Sequence, residues 1–172
     1  MAGFKVNFTD EEASSEARDF DALPTGKYYA RVTDVSLEEC GPNSKNPGKN
    51  YYHLEFTVQD GAYEGRKFWT NAMLFEGALY TIAQLMKATG FEAELKKGNI
   101  PEGDEFVSKE VIVNVAKQRD LYKEKPENGG DGVTKLWKNE VKGIAKYDGV
   151  SPSPKEKVSD AAVKSGAGSL LP

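Results

Sequence analysis

Hydrophobic and polar residues alternate with a period of two in several short segments of the chain, and this pattern predicts β-strands. The clearest alternation runs over Tyr51–Gln59, where an apolar side chain follows every polar one. Its apolar positions are Tyr52, Leu54, Phe56 and Val58. An earlier segment, Lys27–Leu37, also alternates, but its phase changes near Thr33-Asp34, as a β-bulge would cause. The pattern therefore predicts two strands that each bury one face.

Further elements follow along the chain. Arg66–Leu74 predicts a third strand, joined to the second as a hairpin. From Glu76 the apolar residues recur at helical spacing until Gly90, which is placed to end a helix. Residues 91–109 contain glycines and a proline and predict irregular chain, whereas 111–115 and 136–147 predict the fourth and fifth strands.

Five strands with one helix between the third and fourth are the element order of the OB-fold. We therefore predict a mainly β protein, with a five-stranded OB-type barrel over residues 23–147. The acidic residues 1–22 lack sustained periodicity and predict an N-terminal arm. Residues 148–172 are rich in Ser, Pro, Gly and Lys, which predicts a disordered, flexible tail.

The net charge of −4 is unevenly distributed. Residues 41–70 carry +1 and residues 111–147 carry +3, whereas residues 1–40 carry −5. OB barrels bind oligonucleotides on the strand 2–3 face and through the loops that join strands 1–2 and 4–5. Those loops would be 38–50 and 117–135; most of the first loop and all of the second fall within the positive segments. This agreement predicts a local basic groove that binds a polyanion despite the negative total.

Single-stranded DNA is held by aromatic rings that stack on bases and by Lys and Arg that contact phosphates. Trp69 is predicted to point outward with Lys67, because Phe68 fits the inward row better. The two strands and two loops supply the candidate contacts Tyr51, His53, Arg66, Lys67, Trp69, Lys45, Lys49, Lys117, Arg119, Tyr122, Lys123, Lys125, Lys135, Trp137 and Lys138. For each aromatic, packing in the core or rim of a small barrel is the alternative role.

Several kinds of chemistry lack the residues they need. His53 is the only histidine and Cys40 the only cysteine, which excludes a His-based metal cluster, a His-containing triad and an internal disulfide. Gly41 and Gly48 are too far apart for a phosphate-binding P-loop, and Asn50 replaces the Ser or Thr that it requires. We expect a non-enzymatic binding protein without cofactor or metal, with no secretory signal and no membrane span.

Three segments carry a family resemblance: LPTGKYYARVTDVSL, EGRKFWTNAML with the following ALYTIAQLMKATG, and FVSKEVIVNVAKQ. They resemble phage-encoded single-stranded DNA-binding proteins from phage and prophage replication and recombination regions, a group long catalogued as a domain of unknown function. The resemblance covers roughly residues 22–147. Arg66, Lys67 and Trp69 match its pattern and are the residues it singles out.

The resemblance implies an OB-type fold and sequence-independent binding and protection of single-stranded DNA during phage DNA replication or recombination. It also implies location in the cytoplasm of the infected bacterial host, with phage replication or recombination proteins as candidate partners and RNA as a second candidate ligand. The chain departs from bacterial single-stranded DNA-binding proteins at its end, Gly-Ala-Gly-Ser-Leu-Leu-Pro, which lacks their acidic tip. Recruitment of partners through an acidic C-terminus is therefore not expected.

Two interpretations from other classes stay open. An OB-like adaptor of a virion or replisome would bind proteins with the same barrel and would lack exposed aromatics. A carboxylate-metal enzyme or nuclease accessory protein would need a cluster of buried acids.

Overall fold

The computed structural model describes residue 7 and residues 22–157. Most of the predicted N-terminal arm and residues 158–172 of the predicted tail lie outside these residues. The described elements, in chain order, are β1 Gly26–Glu39, β2 Asn50–Val58, β3 Lys67–Met73, α1 Tyr80–Ala88, α2 Glu92–Lys97, β4 Glu110–Arg119, α3 Leu121–Glu124 and β5 Trp137–Lys146. Short 3₁₀ turns cover Gly61–Tyr63, Gly103–Glu105 and Pro126–Asn128.

The described chain divides into two compact units. The larger unit contains residues 23–118 and 139–157, and the smaller contains residues 119–138 with residues 7 and 22. The strands form one antiparallel sheet in the order β3-β2-β1-β4-β5. The mainly β class and the five predicted strands are thereby confirmed.

The sheet is not closed into a barrel, so this part of the prediction is not confirmed. The pairings leave β3 and β5 as the two edges of the sheet, with β1 at its centre. Closure would require hydrogen bonds between these edge strands. The prediction rested on the order of the elements, and that order does not determine whether the two end strands pair.

The long central strand, β1, pairs with two neighbours through different parts of its length. Residues 26–31 pair with β4, and residues 30–39 pair with β2. The register with β2 shifts between Val32 and Asp34, which confirms the predicted bulge. A bulge bends the strand and increases its twist. The two halves of β1 therefore present their side chains at different angles.

The core lies between one face of the sheet and the helix α1. Phe56 and Phe68 occupy directly opposed positions on β2 and β3, and their rings stack with centroids 5.2 Å apart. On α1, Ile82, Leu85 and Met86 are buried against this face. The helix ends before Gly90, whose φ of 91° is the left-handed conformation expected of a glycine that terminates a helix. The helix prediction is thereby confirmed.

The structure differs from the sequence prediction between α1 and β4. The segment predicted as irregular contains the helix α2, which has six residues and no buried side chain. A helix this short and polar has no apolar periodicity from which to predict it. Phe91 and Leu95 nevertheless pack on the edge of the core, and Gly98 ends the helix in the left-handed conformation.

The chain after β5 packs on the larger unit at least as far as Pro154. The backbone N–H of Tyr29 donates to the Ser153 hydroxyl at 2.8 Å, and the N–H of Ala62 donates to the Pro154 carbonyl at 2.9 Å. The Ser151 hydroxyl donates to Asp60 at 2.8 Å. These contacts place the first residues of the predicted tail against β1 and the β2–β3 connection. We call residues 148–157 the strap.

Candidate nucleic-acid interface

The side chains of β1, β2 and β3 that point away from the core form a polar surface, which we call the outer face. Directly opposed residues of antiparallel strands share a face of the sheet, so the register assigns its members. On β2 and β3 they are Tyr51, His53, Glu55, Thr57, Lys67, Trp69, Asn71 and Met73. Four predicted contacts, Tyr51, His53, Lys67 and Trp69, therefore lie on one surface.

Phe68 and Trp69 divide between the two faces of β3 as predicted. Phe68 is 2% exposed in the core, whereas Trp69 is 48% exposed on the outer face. Successive side chains of a strand point to opposite faces, so burial of Phe68 requires Trp69 to face outward. A half-exposed indole on a strand surface offers an apolar ring for stacking.

Glu55 lies at the centre of the outer face, where polar side chains of β1 and β3 contact its carboxylate. The Thr33 hydroxyl donates to its carboxylate at 2.7 Å, the Lys67 ammonium lies 3.2 Å away, and Trp69 lies directly opposite it on β3. The Thr33 bond, followed by the contact with Lys67, lowers the pKa of Glu55 against the opposing effect of its partial burial. Glu55 thus lies beside two predicted binding residues, Lys67 and Trp69.

His53 and Tyr51 continue the outer face toward the β1–β2 loop. The Nδ1 atom of His53 lies 2.8 Å from the side-chain oxygen of Asn71, its partner on β3. An amide oxygen only accepts, so this geometry favours a proton on Nδ1. Tyr51 is half-buried opposite Met73. The rings of Tyr51 and His53, which are on the outer face of β2, therefore remain partly accessible.

The β1–β2 loop carries the exposed residues Lys45 and Lys49. It spans residues 40–49, because β1 continues to Glu39 instead of ending at the predicted residue 37. The backbone N–H of Cys40 donates to the Lys49 carbonyl at 2.8 Å and closes the loop at its base. Both lysines thus lie beyond the Tyr51 end of the outer face.

Acidic side chains interrupt the predicted basic groove. Asp34 and Glu38 on β1 lie opposite Glu55 and Tyr51 and share the outer face with them. Strand register brings these acids beside the aromatics, which a count of charges along the chain cannot show. The outer face is therefore a mixed-charge surface.

Arg66 does not share this surface with Lys67. It precedes β3 on the same side of the alternation as the buried Phe68. Burial raises the pKa of Tyr28, and the positive charge of Arg66 offsets part of this rise. Tyr28 is a core residue, so Arg66 lies toward the opposite side of the sheet from Trp69.

The smaller unit contains most of the remaining predicted contacts. The strand β4 continues to Arg119, past residue 117, where the loop was predicted to begin. Its predicted contacts are Lys117, in the larger unit, and Arg119, in the smaller one. The Arg119 guanidinium donates two hydrogen bonds to Glu124 and lies 5.9 Å from the ring centre of Trp137. Asp120 accepts from the backbone N–H of Lys123 at 3.1 Å and caps α3. The other predicted contacts of this unit, all exposed, are Tyr122, Lys123, Lys125, Lys135 and Lys138.

The sequence prediction missed a group of residues on the outer side of β1. The rings of Tyr29 and Tyr147 stack at 3.9 Å with an interplanar angle of 5°. Arg31 lies 3.0 Å from Glu110 on β4, and interactions with Tyr29 and Arg31 lower the pKa of this carboxylate. Burial, followed by the interaction with Glu110, raises the pKa of Tyr29 to about 12. Alternation in β1 could have placed Tyr29 and Arg31 outward, but no local pattern brings Tyr147 to them.

Within the described part of the chain, no group of three or more His, Cys, Asp or Glu side chains is arranged to hold a metal ion. None of the described helices is both long and apolar enough to span a bilayer.

Fold and surface together define a mainly β protein whose five-stranded antiparallel sheet bears exposed aromatic rings among charged side chains. The family model described as "Protein of unknown function (DUF669)" matches residues 9–156, and the chain belongs to this family. No curated protein matches the chain.

Proposed function

We propose that the protein is an OB-type domain that binds single-stranded DNA on the outer face, independently of base sequence, and protects it during phage DNA replication or recombination. The observation that carries the proposal is the presence of Trp69, His53 and Tyr51 on one accessible surface, with Lys67 beside Trp69. Rings supply stacking to bases of any sequence, and cations contact the phosphates.

The fold supports an OB-type assignment. An OB-fold is a partly open Greek-key barrel of five strands, and its ligands lie on strands 2 and 3. Here β2 and β3 pair over their whole facing length, and the helix α1 between β3 and β4 packs under them in the core. The aromatic-bearing strands are the ones that this architecture uses for oligonucleotides.

The spacing of the rings suits successive bases of an extended strand. Outward side chains of a strand recur every two residues, about 7 Å apart. Tyr51 and His53 are separated by one such step, and Trp69 lies opposite Glu55, one step further. Each unstacked base could therefore meet its own ring.

The mixed charge of the outer face predicts a modest dependence on salt. Lys67, Lys45 and Lys49 are its nearest cations on β3 and the β1–β2 loop. Contacts with about two or three phosphates correspond to a slope of roughly −1.4 to −2.1 in a plot of log affinity against log salt. Stacking then supplies most of the affinity.

The test is a fluorescence-anisotropy titration of a labelled oligo-dT, with duplex of equal length as competitor. Loss of one stacking ring costs about 1–3 kcal/mol, so Trp69→Ala should weaken binding about 5- to 150-fold. Tyr80→Ala is the matched control, because Tyr80 is 72% exposed at the start of α1 and lies outside the outer face. Absence of wild-type binding at low salt would overturn the proposal.

A protein–protein adaptor is the second candidate. The smaller unit favours it, because Leu121, Tyr122 and Val133 are large, apolar and exposed within one short segment. Protein interaction sites often contain exposed apolar side chains that form one contiguous patch. An adaptor predicts that wild-type protein and Trp69→Ala both fail to bind the oligonucleotide.

A further inference from the structure

We propose that the binding path for single-stranded DNA continues from Trp69 across β1 to a second stacking site, formed by Tyr147 on Tyr29, with Arg31 as the phosphate contact between the two sites. This inference rests on the proposed function and extends it to residues of β1 and the end of β5.

Arg31 and Lys67 lie in one row across the sheet. Arg31 on β1 is directly opposite Thr57 on β2, and Thr57 is directly opposite Lys67 on β3. Neighbouring strands are about 4.8 Å apart, so the two cations flank Thr57 at roughly 10 Å from each other in backbone terms. A chain of phosphates that crosses the sheet obliquely from Trp69 meets Lys67 first and Arg31 next.

Arg31 retains donors for a phosphate while its position is held. Its side chain is 42% exposed, and one terminal nitrogen lies 3.0 Å from Glu110. A guanidinium has five N–H donors in a planar fork, so one bond to a carboxylate leaves others for a ligand. Lys27 lies four residues before Arg31 on the same strand and is exposed, so it adds a further cation to this end of the path.

The tyrosine pair supplies a preorganised ring. Tyr29 covers one face of Tyr147 at 3.9 Å. The strap fixes the backbone of Tyr29 through the hydroxyl of Ser153. Tyr147 remains half-buried, so a base would stack on the face that Tyr29 does not cover. A ring held in this way loses little side-chain entropy when a base binds.

The extended path has a definite length. From Tyr29 to Glu38, the residue opposite Tyr51, β1 advances about 30 Å at 3.3 Å per residue. This length accommodates about four to five nucleotides of extended strand, at the lower end of the 4–16 nucleotides that one OB domain occupies.

The experiment measures affinity against length for labelled oligo-dT of about three to about twelve nucleotides, a range that spans the site size of an OB domain. Tyr147→Leu removes the ring and Arg31→Met removes the charge, while both keep apolar volume. Their matched controls are Tyr80→Leu and Lys87→Met, which alter an exposed ring and an exposed cation on α1. Urea unfolding of each variant confirms that it is folded.

With the longer oligonucleotides we expect Tyr147→Leu to lose about 5- to 150-fold in affinity, and with the shortest, which occupy only Trp69 and Tyr51, we expect no change. Arg31→Met should also reduce the salt slope by about 0.7, which a purely structural residue would not do. Wild-type affinity for every length in both folded variants would overturn the extended path. Absence of binding by the wild-type protein would instead overturn the proposed function.

Discussion

Glu55 on β2 and Trp69 on β3 lie directly opposite each other, and the Trp69 side chain is one of the neighbours that lower the pKa of the Glu55 carboxylate. The same carboxylate lies 3.2 Å from the Lys67 ammonium. A single acid therefore lies beside both the ring and the cation that we assign to base stacking and phosphate contact. Its negative charge also keeps this part of the outer face from being strongly basic.

The first prediction concerns the pH dependence of stability that Glu55 contributes. Hydrogen bonding by Thr33 and the nearby Lys67 lower the pKa of Glu55 in the folded protein. A lowered pKa stabilises the fold above the pKa of glutamate in an unfolded chain, about 4.3, and this contribution is lost as pH falls through the folded-state value. The free-energy difference between wild type and Glu55→Gln should be largest at neutral pH and shrink in acid.

Urea unfolding from neutral pH down to about pH 3 measures that difference. Glu76→Gln is the control, because Glu76 is exposed between β3 and α1. A difference for Glu55→Gln that stays constant across this range would show that the carboxylate has no special role in the outer face.

The second prediction compares the two adjacent aromatics of β3. Phe68→Ala removes a buried ring stacked on Phe56 and should lower the free energy of unfolding by about 3–5 kcal/mol. Trp69→Ala removes a half-exposed ring and should cost about 1 kcal/mol. Chemical denaturation of both variants measures the contrast, and equal losses would contradict the assignment of faces.

The third prediction concerns the attachment of the chain that precedes β1. The side chain of Asn139 accepts from the Leu23 N–H at 2.9 Å and donates to the Leu23 carbonyl at 2.8 Å. Leu23 is fully buried, so Asn139→Ala leaves backbone groups beside it without partners. We expect a loss of about 1–3 kcal/mol in the free energy of unfolding. Asn114→Ala, at an exposed position of β4, should change it by less than about 0.5 kcal/mol.

The fourth prediction tests the docking of the strap. Gly61 and Gly65 both have positive φ, so alanine is strained at either position. A Cβ on Gly61 would also clash with the Pro154 carbonyl oxygen, whereas a Cβ on Gly65 would meet nothing within 4 Å. Gly61→Ala should therefore be the more destabilising variant in thermal unfolding. It should also accelerate amide hydrogen exchange at Ala62, whose N–H donates to Pro154, and Gly65→Ala should not.

Alternation along the chain was sufficient to predict β2, β3 and the orientation of their side chains. The direction of a side chain in a strand depends only on its position in the pleat, so the alternation around Phe68 and Trp69 predicted which of the two is buried. The phase change at Thr33 predicted the bulge for the same reason, because one extra residue reverses the alternation. The end of α1 was also predictable from the local sequence, because Gly90 adopts the left-handed conformation that ends a helix.

The sequence alone did not predict which distant segments come into contact. The stack of Tyr29 on Tyr147 joins residues that are far apart in the sequence, one on the first strand and one just after the last, and no periodicity links them. Likewise, the charge of 41–70 predicted a basic groove, but the register placed Asp34 and Glu38 of β1 on the same face. Long-range register is decided by the packing of the whole core and cannot be deduced from one segment.

The sequence by itself thus determined the strands, the helix α1 and the outward position of Trp69, because these depend on local periodicity and turn chemistry. Only the tertiary structure decided that the sheet stays open between β3 and β5 and that Glu55 lies beside Lys67 and Trp69. It also decided that Tyr147 packs on Tyr29. These features depend on which strands become neighbours, and that is set by the free energy of burying the core as a whole.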